Sequence, residues 1–313
     1  MDKLLLVGAD SMLGANLALA FEERFDTVGV ACHLPSVSGC RQTIVADPLD
    51  PGVVARVFAD QRPNWVILCG PTSRSSWEAG ADEQPANAIP VAKQLVAATA
   101  EQGAALAIIS SDAVFAGPRL FHEEMSRSTA DTPYARSGRA LEDALAGTPA
   151  LVVRTHAYGW APCDHTPSYI ESLVDRLTAT PATAGDGVRY ATPILATDLA
   201  DLLATARAKQ LRGLYHITGA ERTNQNRFAS ELAGVLDLIH RPTADPGTDA
   251  TTSVASRPLA ETSLNTRRAR RALGLPMPLL REGLERLAAQ RDNGYRARMR
   301  GEPAPHSQRV RAA

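Results

Sequence analysis

The first fourteen residues constrain the fold of this chain more than any other stretch. Residues 4–7 are four consecutive apolar residues, which predict a strand buried on both faces. Gly8 permits a tight turn after that strand, and a side chain at Asp10 or Ser11 can cap a following helix. Apolar residues then recur at helical spacing, at Met12, Leu13, Leu17 and Phe21.

The small residues of this turn have the spacing Gly8-x-x-Ser11-x-x-Gly14, with serine in the middle position. A helix that begins here directs its unpaired N–H groups and positive dipole end at the turn, which suits a diphosphate. Strand, glycine turn and helix also occur without such a ligand, so both interpretations stay open. On the dinucleotide interpretation, the cofactor-binding residues of the turn are Gly8, Ser11, Met12, Leu13 and Gly14.

Composition excludes several classes of protein. The net charge of −1 gives no case for nucleic-acid binding, and no apolar run approaches the ~20 residues of a membrane span. The N-terminus enters a strand without the basic region and cleavage site of a signal peptide. The four cysteines, Cys32, Cys40, Cys69 and Cys163, have no metal-ligand spacing. We therefore expect a cytoplasmic protein without a metal site or a membrane partner.

Strands and helices alternate along the first half of the chain. The predicted strands are residues 4–7, 27–31, 43–46, 64–69 and 105–110, and the predicted helices include 51–60 and 86–102. This rhythm predicts an α/β fold with a Rossmann-type, doubly wound parallel sheet. Ligands of such sheets bind at the carboxyl ends of the strands.

Two strand ends bear on the choice of cofactor. Cys32 and His33 stand where an acidic residue would bind an adenosine ribose in an NAD-selective site, so NADH and NADPH both remain candidates. Asp47, at the next strand end, could reach an adenine amino group or could simply begin a helix. Cys69 and Ser110 end later strands and are expected near the cofactor.

Hydroxyl groups and a carboxylate follow the fifth strand, at Ser110, Ser111 and Asp112. About twenty residues later, Pro133 suits a helix start and places Tyr134 on its first turn. A tyrosine and a serine that converge near a nicotinamide can move a proton while the cofactor moves a hydride. A capped turn and a packing tyrosine are the alternative interpretation.

Several motifs together resemble the extended short-chain dehydrogenases/reductases, and most of all the dTDP-4-dehydrorhamnose reductase and sugar-nucleotide-binding family. The matching segments are residues 8–14, 110–117, 134–142, 154–159, 192–200, 213–216 and 257–264. The resemblance implies reduction of a nucleotide-linked 4-keto sugar with NADPH or NADH. It implies Ser111 and Tyr134 as catalytic residues, and Asp112, Arg154 and Arg257 near the substrate. Arg154 could instead end a strand inside a structural network.

The chain departs from this family at the residues closest to the chemistry. The family lysine four residues after the tyrosine is Gly138 here, and Arg139 is rotated about 100° around the helix and cannot take its place. The turn has Ser11 for its middle glycine, and Ala113 replaces the family tyrosine after the aspartate. Two functions therefore remain open, a reductase and a catalytically impaired subunit that binds cofactor or sugar nucleotide.

The resemblance also suggests how the chain is divided. We expect a dinucleotide-binding domain over residues 1–160 and a mainly substrate-binding lobe over residues 161–290, with segments that return to the core. Residues 291–313 contain six arginines against two acidic residues, a local charge of +4, and are expected to form a disordered tail. A solvated tail is the default for such a segment, with nucleic-acid contact as the alternative. A homodimer is a further expectation.

Overall fold

The computed structural model describes residues 1–78, 87–179, 185, 187–238 and 260–302. Seven strands form the main sheet: β1 (Lys3–Val7), β2 (Asp26–Ala31), β3 (Gln42–Val45), β4 (Trp65–Leu68), β5 (Ala105–Ser111), β6 (Leu151–Thr155) and β10 (Gly213–His216). Their order is β10-β6-β5-β4-β1-β2-β3, and every neighbouring pair is parallel. The predicted Rossmann-type α/β fold is confirmed.

Two small sheets accompany the main one. The first pairs β7 (Ala157–Tyr158) with β9 (Ile194–Leu195), and the second pairs β8 (Tyr190–Ala191) with β11 (Thr223–Asn224). The helices are α1 (Met12–Phe21), α2 (Pro51–Gln61), α3 (Ala88–Gln102), α4 (Pro133–Leu145), α5 (Tyr169–Thr178), α6 (Ala196–Ala208), α7 (Gln225–Val235), α8 (Arg267–Leu273), α9 (Leu280–Asp292) and α10 (Tyr295–Met299). None of the helices in the described part of the chain has the length and apolarity needed to cross a membrane.

Strand β1 shows why the sheet needs cover on both faces. Leu4 and Leu6 join one core cluster with α1 and α6, while Leu5 and Val7 join another with α2, α3 and α4. All four side chains are fully buried, as a parallel strand between two helical layers requires. A Leu→Ala change at such a site costs about 2–5 kcal/mol, so this strand anchors the whole sheet.

The strand order reverses beside β1, because β2 lies on one side of it and β4 on the other. The connections from β1 and β4 therefore run to opposite faces and leave a crevice at the carboxyl ends of these strands. In open α/β sheets this crevice is where ligands bind. The turn after β1 and the loop after β4 form its two walls.

The C-terminal segment differs from the sequence prediction. Instead of being disordered from residue 291, the chain completes α9 and forms α10, and Met299 is buried. Tyr295 and Met299 are four residues apart, so they lie on the same face of a helix and pack against the core together. The disorder prediction was therefore wrong for residues 291–302. Residues 303–313 lie outside the described part of the chain.

Candidate active site

The turn after β1 is closed by its own serine. Ser11 is the N-cap of α1, and its Oγ accepts the N–H of Gly14 at 3.0 Å and donates to the carbonyl of Gly8 at 2.8 Å. Gly8 has φ of +88°, and a Cβ there would lie 2.5 Å from the carbonyl oxygen of Cys69. A Cβ on Gly14 would overlap the Gly8 carbonyl. Both glycines are therefore required by close backbone packing, and the serine supports the turn.

A cleft of about 750 Å³ begins at this turn and continues along the sheet edge. Of the residues predicted to bind cofactor, those that line the cleft are Gly8, Ser11, Met12, Leu13 and Asp47. Cys69 is fully buried beneath the turn, where its Sγ lies 3.4 Å from the carbonyl of Val7. Gly14 is likewise part of the packing under the cleft. The volume is within the ~300–1,000 Å³ range of small-molecule and cofactor sites.

Two carboxylates bind backbone N–H groups at the end of the cleft near β2 and β3. Asp10 Oδ2 accepts the N–H of His33 at 2.7 Å, which ties the glycine turn to the end of β2. Asp47 Oδ1 accepts the N–H of Leu49 at 2.8 Å and holds the chain as it leaves β3. Asp47 therefore holds the backbone just before α2, as one of its two interpretations predicts. It also lines the cleft, as the other interpretation, a contact with an adenine amino group, requires.

The predicted catalytic pair meets at a backbone carbonyl. Ser111 Oγ donates a short hydrogen bond to the carbonyl oxygen of Arg74, and Tyr134 Oη lies 3.4 Å from the same oxygen. Tyr134 Oη also lies 2.9 Å from the carbonyl oxygen of Pro71 and accepts the N–H of Arg74 at 2.9 Å. The two hydroxyls thus converge on one carbonyl oxygen, supplied by the loop after β4.

Tyr134 is held in a protonated state. The side chain is buried at the start of α4, whose N-cap Thr132 accepts the N–H of Ala135 at 3.1 Å. Burial raises the pKa of Tyr134 well above its usual value, although the N–H and the charge of Arg74 act in the opposite direction. The hydroxyl is therefore neutral at neutral pH, and burial makes it a weaker acid than a free tyrosine.

The position of the family lysine is crowded. A Cβ on Gly138 would lie 3.0 Å from Cγ1 of Val114, so even a small side chain needs a neighbour to move. Arg139 turns away, as its rotation around the helix predicts. Its Nη1 donates to the carbonyl of Ala130 at 2.6 Å and to Oγ of Ser128 at 2.9 Å. Helix α4 therefore brings no cation to Tyr134 from either position.

Asp112, predicted near the substrate, is instead fully buried in a network of side chains. Its Oδ2 lies 2.7 Å from Nδ1 of His156 and accepts hydrogen bonds from Ser76 Oγ at 2.7 Å and Thr262 Oγ1 at 2.6 Å. Its Oδ1 accepts the N–H of Ser76 at 2.8 Å. Burial alone would raise the pKa of Asp112, but the charge of His156 and these hydrogen bonds lower it. The carboxylate therefore links Ser76, His156 and Thr262 to one another beneath the cleft.

Ser110 and Arg154 belong to a second buried network. Ser110 Oγ donates to Oε1 of Glu142 at 2.5 Å, and Arg154 binds the same carboxylate through Nε at 2.9 Å and Nη2 at 2.6 Å. The guanidinium also lies over the ring of Phe115, 4.7 Å from its centroid. Neither residue lines the cleft. The geometry agrees with the second interpretation of Arg154, a residue at a strand end inside a structural network. Ser110 belongs to the same network.

The main surprise is the segment after β4, residues 70–78. Its Arg74 carbonyl meets the predicted catalytic pair, Ser111 and Tyr134, and its Ser76 binds Asp112. Trp77 packs edge-on against His156, with ring centroids 4.5 Å apart. The only sequence signal for this role was its position at the carboxyl end of a strand. Arg257 lies outside the described residues. No cluster of three or more potential metal ligands occurs in the described ranges.

Comparison with known proteins gives a family and a set of structural relatives. The family model described as the RmlD substrate binding domain matches residues 2–293. The search of curated proteins finds no match. A dTDP-4-dehydrorhamnose reductase from Bacillus anthracis, crystallised in complex with NADP, is 21% identical, with 92% of this chain and 99% of that chain covered and a TM-score of 0.73.

Two further structures extend the likeness. A hypothetical dTDP-4-dehydrorhamnose reductase from Sulfolobus tokodaii is 18% identical, with 86% and 94% of the chains covered and a TM-score of 0.70. UDP-glucose 4-epimerase from Thermotoga maritima, in a structure with UDP-glucose, is 15% identical, with 93% and 98% covered and a TM-score of 0.72. These identities establish a shared fold. The match over residues 2–293 goes further, and the chain belongs to the RmlD substrate-binding-domain family.

Proposed function

We propose that this chain is an NAD(P)H-dependent reductase of a nucleotide-linked 4-keto sugar. The observation that carries the proposal is the convergence of Ser111 and Tyr134 hydroxyls on one carbonyl oxygen, at the wall of a cleft that begins at a glycine turn. Membership of the family supports the sugar class, as do relatives whose names include dTDP-linked and UDP-linked sugars.

The cofactor end of the site fits a dinucleotide. The backbone around Gly8 and Gly14 is packed so closely that no Cβ would fit at either position, and the start of α1 faces the cleft. Helix N–H groups and the positive end of the dipole suit a diphosphate there. When bound, the cofactor would supply the hydride. Both NADH and NADPH are compatible with the neutral Cys32 and the His33 that line the far end.

The chain's own residues would manage the substrate oxygen. Tyr134, whose hydroxyl is protonated at neutral pH, donates its proton to the oxygen of the reduced carbonyl, although burial raises its pKa and makes it a weaker acid. Ser111 hydrogen-bonds the same oxygen and stabilises the charge that develops on it. For a substrate to take this position, the Arg74 carbonyl must leave it. On this mechanism the loop after β4 must move for the substrate carbonyl to bind.

A binding or regulatory subunit is the second candidate, and a specific observation favours it. Gly138 replaces the family lysine, and the nearby Arg139 is engaged with Ser128 and Ala130. The catalytic pair already has a carbonyl partner in Arg74. On this alternative, the chain binds cofactor or sugar nucleotide and turns over slowly or not at all.

The test compares turnover in four forms of the chain: wild type, Tyr134→Phe, Ser111→Ala and Gly138→Lys. Oxidation of NADPH and of NADH is followed with a panel of 4-keto sugar nucleotides. We expect wild type to turn over and Tyr134→Phe to lose about 10²–10⁴-fold in rate, because a general acid contributes that much. Tyr215→Phe, which removes a tyrosine hydroxyl outside the cleft, is the matched control and should retain full activity.

The outcomes separate the two candidates. Loss of activity in Tyr134→Phe with normal cofactor binding supports the reductase. A silent wild type that binds cofactor, together with activity in Gly138→Lys, supports the impaired subunit. If wild type binds neither cofactor at millimolar concentration, the dinucleotide site itself is rejected.

A further inference from the structure

Besides the turn after β1 and the loop after β4, the cleft is lined by a loop of residues 161–168, here called the strap. Pro162, Thr166, Pro167 and Ser168 from the strap line the cleft together with the glycine turn. The strap lies between β7 and α5. Its position therefore affects how open the cleft is.

Glu171, in the first turn of α5, links the two ends of the strap. Its Oε1 accepts the N–H of Ala161 at 2.9 Å, and its Oε2 accepts the N–H of Ser168 at 3.1 Å. Ser168 Oγ donates a further short bond to the same carboxylate. The side chain of Glu171 is only 10% exposed, so these hydrogen bonds form in a poorly solvated site and fix the strap's shape.

Two arginines from the C-terminal segment lie on this carboxylate. Arg300 Nη2 and Arg296 Nη2 are each 3.8 Å from Oε1 of Glu171. Arg300 Nη1 also lies 2.6 Å from Oδ1 of Asp164, at the tip of the strap. The side chain of Arg300 is 12% exposed, so its charge is little screened towards Glu171, whereas the side chain of Asp164 is 77% exposed and its contact with Arg300 is open to solvent.

Helix α10 is itself anchored to the dinucleotide turn's helix. Tyr295 Oη donates to Oδ1 of Asn16 at 3.1 Å, and Asn16 Nδ2 donates to the carbonyl of Trp160 at 2.9 Å. Met299 is buried in the core beside this contact. The C-terminal segment therefore connects α1, which begins at the turn, with the strap that faces it across the cleft.

We propose that α10 and Arg300 are a positioning device that holds the strap closed over the dinucleotide end of the cleft. The inference rests on the proposed function for the identity of the ligand, a nicotinamide dinucleotide. Helix α10 and Arg300 follow the 2–293 match to the family model, whereas their partners Asp164 and Glu171 lie inside it. Arg300 sets the strap's position through Asp164 and Glu171, and the strap in turn sets cofactor affinity.

The first experiment measures amide hydrogen exchange of the strap in the full-length protein without ligand. Arg300→Met removes the charge and keeps the apolar stem, and Asp164→Asn removes its exposed partner without touching the core. Both variants should exchange the Ala161 and Ser168 amides about tenfold faster than wild type. Arg298→Met is the matched control, because Arg298 is on the same helix but pairs with Glu22, and it should leave these amides unchanged. Wild-type exchange in both test variants would overturn the proposal.

The second experiment measures the Kd for NADPH and NADH in the same variants. Arg300→Met and Asp164→Asn should weaken binding about fivefold or more, while Arg298→Met binds as wild type. If wild type binds and both test variants bind equally well, the positioning role is overturned. If wild type binds neither cofactor, the proposed function fails, and the exchange measurement still decides whether α10 holds the strap.

Discussion

The cleft has two ends, the glycine turn and the region around Ser111 and Tyr134, and they differ in how far apart along the chain their interacting residues lie. The turn is made by seven consecutive residues, 8–14, with Ser11 bonding to Gly8 and Gly14. At the other end, Asp112 bonds to partners 36, 44 and 150 residues away. The first site is specified by local backbone geometry, and the second exists only after the whole chain has folded.

This difference predicts where a single change does most damage. A change in the turn strains a compact piece of backbone, whereas a change at Asp112 leaves several buried polar groups without a partner. A change in the network around Asp112 should therefore lower stability more, and a change in the glycine turn should lower cofactor affinity more. Three changes sharpen this contrast.

The largest effect is expected from Asp112→Ala. Removing the carboxylate leaves His156, Ser76 and Thr262 buried without their acceptor, which should cost about 3–5 kcal/mol of unfolding free energy. Asp201→Ala is the control, because the side chain of Asp201 is exposed in its pair with Arg24 and should cost less than about 1 kcal/mol. Urea unfolding of both variants is the measurement, and equal losses would contradict the network's role.

The same residue predicts a pH dependence. Because the folded state lowers the pKa of Asp112 below the ordinary value near ~4, its contribution to stability is present above that pH and is lost as the pH falls through the lowered pKa. Wild type should therefore lose stability in acid more steeply than Asp112→Ala. Unfolding free energies measured across the acid range compare the two slopes, and identical slopes would contradict this assignment.

An intermediate effect is expected from Gly14→Ala. The new Cβ would overlap the Gly8 carbonyl and lie 2.8 Å from Cα of Ala9, so α1 must move away from the turn. Overpacking of this kind costs about 1–3 kcal/mol, and the displaced helix start should weaken cofactor binding. Gly234→Ala is the control in a helix with open space around the glycine, and it should gain up to ~1 kcal/mol. Thermal unfolding and cofactor titration distinguish the two.

The smallest effect is expected from Ser11→Gly, which restores the middle glycine of the turn. The N-cap hydrogen bond is lost, but glycine is itself an acceptable N-cap residue. The unfolding free energy should therefore fall by only about 0.3 kcal/mol. Ser11→Ala lacks both the cap and the backbone freedom and should cost about 1 kcal/mol. Melting temperatures rank the pair, and a larger loss in Ser11→Gly would mean that the serine does more than cap α1.

The features that depend on neighbouring residues could be predicted from the sequence. The strand before Gly8, the serine cap and the alternation of strands and helices all follow from short-range patterns, and the fold prediction built on them is confirmed. The site was harder. Ser110 and Ser111 are neighbours on a strand and must face opposite sides of the sheet, so only one of them can meet Tyr134. Which one does so depends on the register with distant elements.

Long-range contacts explain what sequence reasoning missed. No pattern near Asp112 indicates that Ser76 and Thr262 will satisfy it, and nothing near Arg74 indicates that its backbone will meet the catalytic pair. The C-terminal helix was missed for a related reason. Its arginines suggested a solvated tail, but their guanidinium groups pair with carboxylates while Tyr295 and Met299 supply the apolar contact.

The Arg74 carbonyl has a consequence for any ligand that needs the same hydroxyls. A tethered group competes at a fixed effective concentration, which dilution of the protein does not reduce. The apparent affinity for a free carbonyl ligand is then the intrinsic affinity multiplied by the fraction of molecules in which the tethered group has left. The loop after β4 thus sets a threshold concentration for the ligand, and its sequence can tune that threshold without altering Ser111 or Tyr134.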